Sequence, residues 1–343
     1  MFHPVFSKPP VLTIKEITDA PPRIIRTCCS FGADLHLGII PFIKYNDITS
    51  LAEIGEHEYL GGKNEGNGNI YTRYGGFIDL GHVRDCADWT AYLYNLILAS
   101  RENPELEIID LGFEGGGKKL ILNIACDPDS FDVAQLAGKI AYDLSLWHEI
   151  ATWYGASIVP LFPERYSSFS PEDLYSNLLG VHLAIQALQS MENYNTAMTR
   201  LLSETLDSLG VVSSRDETFA AMEKVEDIWW INEKPLPSKK ILLKRFLDTE
   251  NTLTPWLVPD KNDNILPCSL EKPANELNNF YRIEIKLNYH FPTKKIFGNK
   301  NNHMINQFDF ETLLLQISDD IDHLDSKLSE RMIRKNQRKK NRI

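Results

Sequence analysis

Long apolar runs are missing from this 343-residue chain. No stretch of about 18 apolar residues occurs, so no membrane-spanning helix is expected. No secretory leader is expected in the first residues: Met1 to Ile14 contains Pro4, Pro9 and Pro10 but no apolar core, and residues 1–24 read as a proline-rich arm. Cysteine is scarce. Cys28, Cys29, Cys86, Cys126 and Cys268 make an odd number, which argues against a disulfide framework and for reduced thiols. Together with the proline-rich start, this sets a cytoplasmic location as the expectation. Positive charge is also short, with 36 Lys and Arg against 47 Asp and Glu. Seven of those cations (Arg331, Arg334, Lys335, Arg338, Lys339, Lys340, Arg342) lie in residues 331–343, and the rest of the chain carries a net charge of -18. Such a body repels nucleic acid, whose phosphates need clustered cations; the basic tail is the one segment suited to that contact. Solvation of a frayed helix end explains the tail equally simply.

What is present is ordinary for a folded protein. Hydrophobic residues make up 43% of the chain, and 16 Phe, 13 Tyr and 6 Trp suffice for a large core, which excludes global disorder. The pattern predicts an α+β fold, mostly helical with a small, largely antiparallel sheet. A single globular domain is expected over 25–325, between the arm at 1–24 and a basic tail at 326–343. Apolar spacing predicts a mostly buried helix from His82 to Ser100 and a long helix from Phe131 to Tyr154. Strands are expected at Leu106–Phe113 and Lys119–Ala125. The glycines of Glu114-Gly-Gly-Gly-Lys118 form the turn between them rather than a phosphate cradle, because a strand follows. Ser170, Pro171 and Asp173 read as the capped start of a helix reaching Leu188, and Ser214 with Glu217 as a second capping box. Further helices are expected at 194–209 and from Phe308 onward. Tyr281–Tyr289 alternates apolar and polar residues as a half-buried strand does.

Three segments carry residue types suited to chemistry. In Gly75-Gly-Phe-Ile-Asp79-Leu-Gly-His82-Val-Arg-Asp85, glycines lead into a strand-to-helix junction, and His82 and Asp85 share a helical face. Such a pair can hold one metal or one proton. It can equally be a buried hydrogen-bonded pair, with Arg84 and Asp88 as a neighbouring ion pair. In Trp147-His148-Glu149-Ile-Ala-Thr152, Thr152 stands where a zinc-protease helix needs its second histidine. His148 then ligates only with partners from elsewhere, such as His82 or Asp85, or is simply a core histidine. In Arg26-Thr-Cys28-Cys29-Ser-Phe-Gly32, the vicinal cysteines offer a thiol nucleophile, or ordinary small core residues.

PPRIIRTCCSFG, IYTRYGGFIDLGHVRDCADWT and AYDLSLWHEIATWYG, with the later EDLYSNLLG and TPWLVP, together resemble a bacterial family catalogued as domain of unknown function 4056. The resemblance spans roughly residues 20 to 290 and implies no activity. The resemblance implies that members often carry export or lipoprotein signals, and the start of this chain, read as a proline-rich arm, departs from that pattern.

The preferred reading is a hydrolase in which His82, Asp85 and His148 bind a divalent metal, zinc above all, with Glu149 or Asp79 as the base that activates water. A rival enzyme reading makes Cys28 or Cys29 the nucleophile and His82 or His148 its base. A third reading is a binding protein whose polar cluster only fixes its core. The substrate is left open by all three.

Overall fold

A computed structural model describes residues 26, 30–37, 40–44, 47–124, 131–154, 167–231, 242–247, 250–259, 265–288, 291, 293–298 and 303–323. The expected arm at 1–24, the tail at 326–343, and Cys28 and Cys29 lie outside these residues.

The principal elements are β1 (Asn69–Thr72), β2 (Gly76–Asp79), α1 (Leu80–Glu102), β3 (Ile108–Phe113), β4 (Gly116–Leu122), α2 (Val133–Trp153), α3 (Asp173–Gln189), α4 (Tyr194–Ser208), α5 (Arg215–Lys224), β5 (Tyr281–Leu287) and β6 (Met304–Asn306). A helix over 310–323 follows. The architecture is α+β, with helices predominating over small antiparallel sheets. The largest sheet has the order β6-β5-β4-β3, every pair antiparallel. β1 and β2 form a separate hairpin whose second strand runs directly into α1.

The alternation expected in β5 is present. Tyr281, Ile283, Ile285 and Leu287 are buried, while Arg282 and Lys286 are exposed. The buried side of the sheet, with Leu120 and Leu122 from β4, shares one core with α1, α2 and α3. Glycines let the three helices approach closely. A Cβ on Gly180 of α3 would stand 2.1 Å from the Val83 carbonyl oxygen of α1, and one on Gly138 of α2 would meet Ile185 of α3 at 2.7 Å. Both distances are below van der Waals contact; the Gly180 contact is with backbone, so that crossing requires glycine, whereas at Gly138 the neighbouring side chains would have to shift.

Two expectations are corrected. The β3–β4 turn is tighter than the glycine run suggests: Gly116 and Gly117 already belong to β4, paired with Leu287 and Lys286. Gly116 is therefore buried, and a Cβ there would sit 2.4 Å from the Lys286 carbonyl oxygen. The third helix begins at Asp173 rather than at Ser170. The Ser170 hydroxyl donates to the Ser167 carbonyl, no side chain caps the helix at its N-cap Glu172, and the Asp173 carboxylate accepts from the Ser170 N–H at 2.7 Å in the preceding turn. The capping box at Ser214 and Glu217 is formed as expected.

Candidate functional site

The ends of three helices meet at one buried point. The first contribution comes from the β2–α1 junction. Asp79 is the N-cap of α1: its Oδ1 accepts from the N–H groups of Gly81 and His82, at 2.7 and 3.2 Å. Its own N–H donates to Ser176 Oγ of α3. These bonds place His82 on the first turn of α1, facing α3. Gly76, at φ +67, leaves β2 room against the Trp256 carbonyl oxygen, which an added Cβ would meet at 2.2 Å.

The second contribution is Glu149, near the end of α2. Trp147, two residues earlier, stacks between Phe291 and Phe310 and donates its indole N–H to the Glu114 carbonyl. That anchors this turn of α2 to the β3–β4 turn. Glu149 is 98% buried on the opposite side, and its Oε2 accepts from the Phe169 N–H at 2.8 Å. Phe169 holds a left-handed backbone at φ +57, and the neighbouring Ser168 hydroxyl donates to the Glu149 carbonyl. Strained backbone of this kind persists only where its surroundings over-determine it.

The third contribution is the start of α3. Glu172, Asp173, Ser176 and Asn177 are all buried there. Asn177 Oδ1 accepts from His82 Nδ1 at 3.0 Å and from Cys86 Sγ at 3.2 Å. Because that oxygen takes the Nδ1 hydrogen, Nε2 is the nitrogen turned to Asp173, whose Oδ1 lies 3.8 Å away. His82, Glu149 and Asp173 each offer a ligand atom within 4.8 Å of the other two.

Electrostatics follow from this crowding. Burial opposes a charge on His82, but Asp173, Asp79 and Glu149 outweigh it and push the pKa up to about 10. Burial raises Glu172 well above the usual carboxylate range, and the Asp79 charge adds to the shift. Burial likewise pushes the Cys86 thiol up to about 12. That is the opposite of an activated nucleophile.

The residues singled out in the sequence divide three ways. His82, Asp79 and Glu149 converge on this site. Asp85 turns to Arg26, accepting from its Nη1 at 2.9 Å, within a buried network where Arg26 also binds Asp88 and Glu65, and Arg84 pairs with Glu65. His148, 34% exposed rather than enclosed in the core, bonds Glu114 Oε1 through Nδ1, while Lys118 binds the other Glu114 oxygen. Burial disfavours charge on His148, but Glu114 pushes its pKa up to about 9. A charge on His82 works against one on His148. Cys28 lies outside the described residues. Sequence reading missed Glu172, Asp173 and Asn177. Their signal was a set of polar residues (Asp173, Ser176, Asn177) at helical spacing on the face of α3 that should be apolar.

A family model described as Protein of unknown function (DUF4056) matches residues 16–259. Neither the curated proteins nor the solved structures contain a match to the chain. Among the described residues, no helix is long and apolar enough to cross a membrane.

Proposed function

The chain belongs to the DUF4056 family, and we propose that it is a metal-dependent hydrolase whose divalent ion is held by His82, Glu149 and Asp173. The observation that carries this reading is the convergence of those three side chains, all buried and each delivered by a different helix. Three protein ligands, one imidazole and two carboxylates, make up a zinc site with a position open to water. Bound zinc lowers the pKa of its water to about 7 and supplies a nucleophile at neutral pH.

The protein residues have separate tasks. Asn177 fixes the imidazole so that Nε2 faces the ion, which would take the place of the proton there. Asp173 and Glu149 each commit one oxygen to a backbone N–H, of Ser170 and Phe169, which sets the carboxylate planes. Glu149, expected from the sequence as a base, is thereby part of the ligand set. Asp79 spends Oδ1 on capping and keeps only Oδ2 for the site. Asp85 and His148, bonded to Arg26 and Glu114, stand outside the ligand set in this reading.

Elemental analysis of untagged protein tests the reading directly. At least one zinc per chain is expected, with hydrolysis of a generic ester or peptide panel lost on chelation and restored by zinc. Metal-free protein that takes up no divalent ion in a calorimetric titration would overturn it.

A further inference from the structure

The three-residue ion site leaves part of the buried charge unanswered. Asp79 and Glu172 are 0% and 1% exposed; Asp79 accepts from the His82 N–H, and Glu172 directly precedes Asp173 in the chain. Glu172 interacts electrostatically with Asp79, His82 and Glu149. Among the described residues, Asp79 Oδ2 has no hydrogen-bond partner, and neither Glu172 carboxylate oxygen has one in another residue. No arginine or lysine among them pairs with Asp79, Glu149 or Glu172. Buried acceptor oxygens without donors from other residues are costly, since their water has been removed and no neighbour replaces it.

Charge counting sharpens the point. Asp79, Glu149, Glu172 and Asp173 are four carboxyl groups around one imidazole. With His82 neutral and ligating, one divalent ion offsets the two carboxylates that hold it, Glu149 and Asp173, and leaves Asp79 and Glu172 without a cation. Buried charges persist when they are paired or coordinate metals. The oxygens that lack such donors belong to the two carboxylates that the first ion does not use.

We propose that the site takes two divalent cations, the second held by Asp79 Oδ2 and the Glu172 carboxylate beside the ion on His82, Glu149 and Asp173. This deepens the hydrolase reading and rests on it. Paired ions clamp the attacking and leaving oxygens of a displacement, the arrangement suited to phosphate esters. An anionic substrate also needs this acidic cluster to be neutralised before it can bind there.

Metal-free, full-length protein titrated with Mn²⁺ provides the test, with stoichiometry read by elemental analysis and ion–ion coupling read by electron paramagnetic resonance. Wild type is expected to bind two Mn²⁺ per chain with an exchange-coupled spectrum. Glu172→Gln, which keeps the shape of the side chain, is expected to bind one and lose the coupling while its circular dichroism is unchanged. One ion per chain in both proteins would overturn the second site and leave the first standing. Two uncoupled ions in wild type would also overturn it, because the second would then sit elsewhere. No ion in wild type would overturn both readings together. Should Glu172→Gln fail to fold, the wild-type coupling decides alone.

Discussion

Asn177 accepts from His82 Nδ1 and from Cys86 Sγ through the same oxygen, so one α3 side chain determines which edge of an α1 imidazole meets the carboxylates. Residues that orient a ligating histidine in this way govern its affinity for metal. Asn177→Ala should weaken zinc binding by roughly 10- to 100-fold, the range such partners show. A competition titration against a chromophoric chelator measures it. Unchanged affinity would mean that His82 does not ligate.

Helix propensity and packing make opposite forecasts at Gly180. In an exposed helix, alanine is favoured over glycine by about 1 kcal/mol. Here the added methyl would stand 2.1 Å from the Val83 carbonyl oxygen, backbone that cannot step aside. Gly180→Ala should therefore destabilise the protein by about 1–3 kcal/mol, the usual cost of overpacking. Gly117→Ala, where a Cβ meets nothing within 4 Å, should change stability by less than about 0.5 kcal/mol, as open surface sites do. Denaturant melts of the two variants give the comparison.

Acid should unfold the protein through Glu65. Burial would raise its pKa, but hydrogen bonds from Arg26 and the Glu58 N–H, with the charges of Arg26 and Arg84, hold it at about 2 instead of 4.5. A carboxylate depressed in the fold stabilises it fully above the unfolded value. That contribution is lost as pH falls from about 4.5 through about 2. Glu65→Gln should flatten stability across this window and cost about 3 kcal/mol at neutral pH, because Arg84 loses its paired charge. Thermal melts between pH 2 and 7 read both effects.

Two serines at helix starts should behave differently. Ser214 Oγ accepts from the Glu217 N–H within a complete capping box, so Ser214→Ala should cost about 1 kcal/mol. Ser170→Ala removes a bond to the Ser167 carbonyl instead and leaves the bond from the residue 170 N–H to Asp173 in place. Its effect belongs to the 167–170 turn, and the α3 start should stay intact by amide exchange. Fraying of α3 in Ser170→Ala would contradict a helix start at Asp173 that does not use the Ser170 hydroxyl.

The sequence made the helices and the half-buried strand legible because their signals are local: apolar periodicity over α1 and α2, strict alternation in β5, capping residues before α5. Half of the site was legible for the same reason, since Asp79 and His82 share a junction and Glu149 follows a distinctive Trp-His pair. Asp173 was visible but already explained, because Ser-Pro-Glu-Asp reads fully as a helix start. The carboxylate bonds back to the Ser170 N–H with one oxygen and faces His82 with the other, a double use that the helix-start reading hides. The partners of Asp85 and His148 were equally hidden. Arg26 and Glu114 lie 59 and 34 residues away along the chain, and only tertiary packing selects them over nearer candidates.

The left-handed residue before α3 gives the molecule a reporter of its own. The Phe169 N–H reaches Glu149 Oε2, while Glu149 uses the remainder of its carboxylate toward the cluster. Whatever steadies Glu149 therefore steadies a backbone conformation that has little intrinsic preference for itself. Amide exchange at Phe169 should slow when the site fills and quicken when it empties, because local opening there must first release the carboxylate. Occupancy could thus be followed from a single backbone proton, in protein whose substrate has never been supplied.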